Sequence, residues 1–235
     1  MTYLLIPGAG GASWYWHRLV PELHSRGQEA VAVDLPADDE EAGLAEYADV
    51  LALAAGPAAD VVVVAQSLGG FVAAQLCDRL PVSLIVLVNA MVPAPGETAD
   101  DWWANTGQLD AMREMAVREG RDPDAEFDVF TYFLHDVDPK VAESGAEHQR
   151  EQSSTPGEQP WPLAAWPAVP TRAVIGRDDR LFPAEFQRRL LDERLGIAPD
   201  ELPGGHLVAL VSPAELADRL EAYRAEVGVG PTTSA

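Results

Sequence analysis

The sequence predicts an α/β protein: a mostly parallel sheet of about six strands flanked by helices, with a helical lid inserted into it. Three observations carry this. Short apolar runs alternate with helix-forming segments, the pattern of right-handed crossovers between parallel strands. One run, DVVVVA at 60–65, contains four consecutive valines and so has no polar face to turn to water. The alternation is also interrupted once, from Met91 to Trp166.

TYLLI (Thr2–Ile6) ends in Pro and Gly and reads as a buried strand. A helix is expected over about Trp14–Arg26, stopped by Gly27, then a strand over Glu29–Asp34 and a helix over Gly43–Gly56. The repeat continues with the valine strand, a helix over about Leu68–Leu80, and VSLIVLVNA (Val82–Ala90). The interruption holds helical stretches such as Asp110–Gly120, then a polar, proline-bearing run over His148–Pro162 that predicts loop. TRAVIG (Thr171–Gly176) resumes the sheet. A helix over about Pro183–Leu195, a short strand at Asp200–Leu202 and a helix over Val208–Glu226 complete it. The organisation expected is one discontinuous core (1–90 and 167–227), a mostly helical lid (91–166) and a flexible tail (228–235), because 235 residues suit a single large core.

Composition narrows the partners. Thirty-eight acidic against 16 basic residues give a formal charge of −22, which repels phosphate backbones and anionic head groups, so neither nucleic acid nor membrane is expected to bind. The single cysteine, Cys77, excludes an internal disulfide and suits a reducing compartment. Its expected role is that of a small buried apolar group. The opening residues carry no basic leader, and no run reaches the ~18 apolar residues that span a bilayer, so a cytoplasmic protein is expected. No oligomeric state follows from the sequence.

Ligands of open parallel sheets bind beyond the carboxyl ends of the strands. Four loops there draw attention: PGAGGAS, QSLGG, GRDD and PGGH. AQSLGG sets Ser67 between a strand and a helix, with Ala65 and Gly69 two residues to either side, a nucleophile elbow with alanine for its first glycine. The plainer role for this serine is a helix cap. A serine hydroxyl needs a base, itself oriented by a third group. His206, on a glycine-rich loop beyond the last strand, is the best base among five histidines, and Asp178 and Asp179 both follow a buried strand. The order Ser, Asp, His is that of one hydrolase fold and differs from those of other serine hydrolases. Backbone amides of Leu68 and Ala9 are the expected oxyanion-hole donors.

These residues together resemble the α/β-hydrolase superfamily over almost the whole chain. More narrowly, LLIPGAGGASWYWHRLVPELHSRG is similar to the start of the small plant esterases and hydroxynitrile lyases. The resemblance places the acid three residues after a glycine, which selects Asp179. This chain departs where those lyases carry threonine (Gly8), lysine after the histidine (Leu207) and, in many relatives, histidine (Pro7). Without that lysine, the resemblance implies a serine carboxylesterase acting on a small to medium apolar small-molecule ester, with no metal or cofactor, rather than a lyase. Two other classes compete: an NAD(P)-dependent reductase using GAGGAS with Asp34 at the ribose, and a non-catalytic binding scaffold. Within the lid, Trp102, Trp103, Trp161 and Trp166 are expected to pack the lobe on the core rather than line a pocket, and His135 and Asp136 to form a surface turn.

Overall fold

The computed structural model describes residues 1–228; of the expected tail, all but Gly228 lies outside the described residues. Six parallel strands form one sheet in the order β2-β1-β3-β4-β5-β6: β1 (Thr2–Ile6), β2 (Glu29–Ala32), β3 (Val61–Gln66), β4 (Val82–Val88), β5 (Thr171–Gly176) and β6 (Asp200–Leu202). The helices are α1 (Leu19–Ser25), α2 (Leu44–Ala55), α3 (Gly70–Ala73), α4 (Ala99–Thr106), α5 (Gln108–Arg118), α6 (Pro139–Gly145), α7 (Thr155–Glu158), α8 (Ala184–Leu195), α9 (Val208–Val211) and α10 (Pro213–Glu226). Among the described residues no helix is long and apolar enough to cross a membrane.

The strands do what their composition requires. Every residue of β3 is buried. Val61, Val63 and Ala65 join one apolar cluster with Leu4, Ile6, Ile85 and Leu87, while Val62 and Val64 join a second on the opposite face with Tyr3, Leu5, Leu84 and Val86. A β-branched run suits this placement, because its side chains fill both faces of a pleated surface. Register then brings the carboxyl ends level: Ile6 pairs with Ala65, Gln66 with Val88, Val88 with Val174, and Gly176 with Leu202.

Three expected helices are shorter or broken. Ser13–Trp16 is a separate 3₁₀ turn ahead of α1. The segment after Ser67 passes from 3₁₀ (Ser67–Gly69) through α3 to 3₁₀ again (Ala74–Asp78), and Pro213 opens α10 as a helix distinct from α9. Proline has no N–H to continue a preceding helix but fits a first turn, so the break falls beside it.

Residues 91–166 run from β4 to β5. Trp102, fully buried, packs on Phe182 and Phe186 of the core side, and Trp161 stacks on Trp166. Glu97 fastens the same segment to α8. Its carboxylate accepts from Arg194 Nη2 and Asn105 Nδ2, both at 2.9 Å, and from the Ala94 amide at 3.0 Å. Burial alone pushes this carboxyl up, but the Arg194, Asn105 and Ala94 bonds outweigh it and hold it below the ordinary carboxylate value. A group so depressed adds stability above its unfolded pKa of about 4.3 and loses it as pH falls through the folded value. Glu97→Ala is therefore expected to cost about 3 kcal/mol at pH 7, since it strands a largely buried guanidinium, and less at pH 3; urea midpoints at the two pH values measure this.

Candidate functional site

The level strand ends place Ser67, Asp179 and His206 on three neighbouring loops. Ser67 follows β3 with φ of 51°, one of two non-glycine residues described at positive φ, the other being Asn89 at 44°. Such a backbone is strained for a side-chain-bearing residue and persists where its surroundings hold it. Here the Met91 N–H donates to the Ser67 carbonyl at 2.9 Å. Gly69 lies so close to β1 that a Cβ would sit 2.8 Å from the Pro7 carbonyl oxygen, which explains a small residue two positions after the serine. Gln66 stands at the cap position of the 3₁₀ turn and Gly69 at that of α3, so Ser67 does not fill the plainer role.

Asp179 and His206 are completely buried. Asp179 Oδ1 accepts from the Leu181 and Phe182 amides at 2.9 and 2.8 Å, and Oδ2 faces His206 Nδ1 at 2.9 Å. A carboxylate only accepts, so Nδ1 carries the hydrogen, and in the neutral ring Nε2 keeps its lone pair. That Nε2 is buried without a partner, on a ring held edge-on between Phe133 and Phe182. Asp178 instead is exposed, and its carboxylate accepts from the Gly204 amide at 3.3 Å.

Ser67 and His206 line one cavity of about 470 Å³, together with Ala9, Leu68, Trp103 and Leu181. Trp103 thus faces the cavity, in contrast to the packing expected of all four tryptophans. Leu68 belongs to the first turn after the strand, whose N–H groups have no intrahelical acceptor. Ala9 sits on a loop that other segments brace: Gln152 Oε1 accepts from the Gly10 amide at 3.0 Å, while Gln152 Nε2 donates to the Tyr47 hydroxyl at 3.0 Å. Leu207 borders the cavity, and its side chain supplies no charge there.

His135 and Asp136 do not line the cavity and are not a free surface turn. They are largely buried against the His206 loop, where Asp136 Oδ2 accepts from the Gly205 amide. Asp34, the acid a ribose would need, spends Oδ1 on the Ser13 amide at 2.7 Å. Burial tends to raise its carboxyl, yet the Ser13 amide and hydroxyl bonds hold it below the ordinary value, so it closes the GAGGAS loop on itself.

Three amide side chains that have no counterpart among the expected site residues organise the site. Fully buried Asn89 donates through Nδ2 to the Gly205 and His206 carbonyls, each at 3.0 Å, and accepts from the Gly176 amide at 2.7 Å. It ties β4 to β5 and to the histidine loop. Gln187 Nε2 donates to Asn89 Oδ1 at 3.2 Å and to Asp179 Oδ2 at 3.3 Å. Gln152, which braces the Ala9 loop, completes the set. The signal for Asn89 is its place directly after β4, at the same carboxyl end of the sheet as the other site residues.

The chain belongs to the alpha/beta hydrolase family, whose profile matches residues 3–219. It is 34% identical over 107 residues to a probable esterase, PIR7A, of Oryza sativa subsp. indica, a match that covers 40% of this chain and only 41% of the rice protein. Norfluorocurarine synthase 1 of Strychnos sp is 23% identical over 249 aligned residues and 93% of each chain. Two solved structures share the fold: a pyrethroid hydrolase from Sphingobium faniae JZ-2 (TM-score 0.76, 21% identity, 98% and 99% coverage) and polyneuridine aldehyde esterase (0.75, 19%, 94% and 98%).

Strain at Ser67 has a measurable consequence. Glycine takes positive φ freely, so Ser67→Gly is expected to raise stability by about 1 kcal/mol, read as a shift of the denaturation midpoint.

Proposed function

We propose that the protein is a serine hydrolase that cleaves carboxylic esters of small to medium apolar molecules through an acyl-enzyme on Ser67. The observation that carries this reading is the shared cavity: an elbow serine and a histidine with a free Nε2 line it, and the other ring nitrogen of that histidine is held by Asp179. Family membership and the esterase among its relatives agree with it.

In this mechanism His206 Nε2 takes the Ser67 proton as Oγ bonds to the carbonyl carbon. The carbonyl electron pair moves onto oxygen, and the Ala9 and Leu68 amides hold the resulting oxyanion. Collapse of this intermediate expels the alkoxide, which takes the proton from His206. Water then repeats the sequence on the acyl-enzyme: His206 accepts its proton, hydroxide adds to the carbonyl carbon, and Ser67 leaves protonated with the free acid. Asp179 keeps the imidazole in the Nδ1–H tautomer and stabilises the imidazolium. Gln152 is a positioning residue, since its bond to the Gly10 amide sets the loop that carries Ala9. Residues 91–166 act as the lid over this site. The half-buried Cys77, whose thiol burial pushes up to about 11, stays protonated and fits a cytoplasmic setting.

Ser67→Ala is expected to lower kcat on p-nitrophenyl esters by at least about 10³-fold and to abolish labelling by a fluorophosphonate; near-normal turnover would refute the mechanism. Asp179→Asn should cost about 10³- to 10⁴-fold and Asp178→Asn little, and the reverse ranking would reassign the acid. Loss of the Gln152 bond in Gln152→Ala should reduce kcat by about tenfold with KM nearly constant, because the oxyanion donor matters most in the transition state.

A further inference from the structure

Four residues that border the Ser67 cavity, Ala9, Gln66, Phe133 and Leu207, also border a second cavity of about 320 Å³ on their far side. Trp14, Leu134 and Ala142 wall this second space, and Val129, 48% exposed, stands at its rim. Neither Ser67 nor His206 reaches it, so it has no bond-breaking chemistry of its own. What it shares with the first cavity is a threshold.

Gln66 is the polar side chain of that threshold. It is 4% exposed, and no capping bond ties its amide to the turn that begins at Ser67. Gly8 makes room for it, since a Cβ there would fall 2.4 Å from Gln66 Oε1. Buried amides are normally satisfied by protein, and one that faces ligand space is satisfied by what binds there. The remainder of the threshold is apolar.

We propose that the two cavities form one bipartite substrate site, whose substrate class is an ester with a ring-sized apolar group on each side of the carbonyl. This rests on the ester reading above. An ester crossing the threshold brings its one polar function to the one polar side chain there, and the Gln66 amide N–H donates to an ester oxygen. With the carbonyl carbon at Ser67, one substituent lies toward Trp103 and Leu181 and the other passes Phe133 toward Trp14. A methyl or acetyl group leaves one of the two cavities without its apolar occupant.

Three esters with leaving groups of similar basicity test this: benzyl acetate and methyl phenylacetate, each with one ring, and benzyl phenylacetate, with a ring on both sides. The wild-type protein is expected to show kcat/KM on the two-ring ester at least about tenfold above either one-ring ester, chiefly through KM. Ala142→Trp fills the second cavity from α6 and should erase that preference. Val129→Trp narrows it from the exposed rim and should reduce the preference even where Ala142→Trp fails to fold. Equal use of all three esters, or a preference that Val129→Trp and a folded Ala142→Trp both leave intact, overturns the bipartite site alone. Hydrolysis of none of the three overturns the ester reading with it.

Discussion

Burial of β3 on both faces is the constraint from which the site follows. A strand with no polar face offers no position along its length where a catalytic group can meet solvent, so function is confined to its carboxyl end. There the backbone turns through a positive φ at Ser67, a conformation that a loose strand would relax. Packing on both sides prevents that, and the register of the neighbouring strands brings the loops of Asp179 and His206 to the same level.

Holding three loops in mutual register is a polar problem, and this protein solves it with amides. Asn89 bonds backbone groups of Gly176, Gly205 and His206, so it joins two strand ends and the histidine loop through a single fully buried side chain. Gln187 continues the network to Asp179, and Gln152 reaches the loop of Ala9 and Gly10 from more than a hundred positions away. Asparagine and glutamine suit this work because they both donate and accept without carrying charge into a buried space. Buried charge is held by partners, as Glu97 is by Arg194 and Asp179 by two backbone amides and His206.

Much of the architecture was legible because its signals are local. TYLLI, the valine run and TRAVIG read as strands from composition alone, and the structure places strands there within a residue. Helices proved harder: the stretch after Ser67 looks continuous in sequence but passes through 3₁₀ geometry as it turns away from a strained residue. The tryptophans divide for a similar reason. Trp102 and Trp103 are adjacent in the chain, yet a helix turns them about 100° apart, so one packs on Phe182 and Phe186 while the other also faces the cavity.

By itself the sequence determined the fold class, the strand ends at which chemistry belongs, and the residue types available there, because periodicity, burial and turn chemistry are properties of neighbouring residues. Residue types and spacing left open whether Asp178 or Asp179 would face the histidine. Tertiary structure decided what depends on distant segments meeting: the bond between Asp179 and His206, the Gln152 brace, the turn of His135 and Asp136 onto the Gly205 loop, and the two cavities that both have Gln66 in their lining. Contacts between residues 27, 69 or 142 positions apart have no local signal, since a side chain's hydrogen-bond partner is set by where the whole sheet brings the chain back.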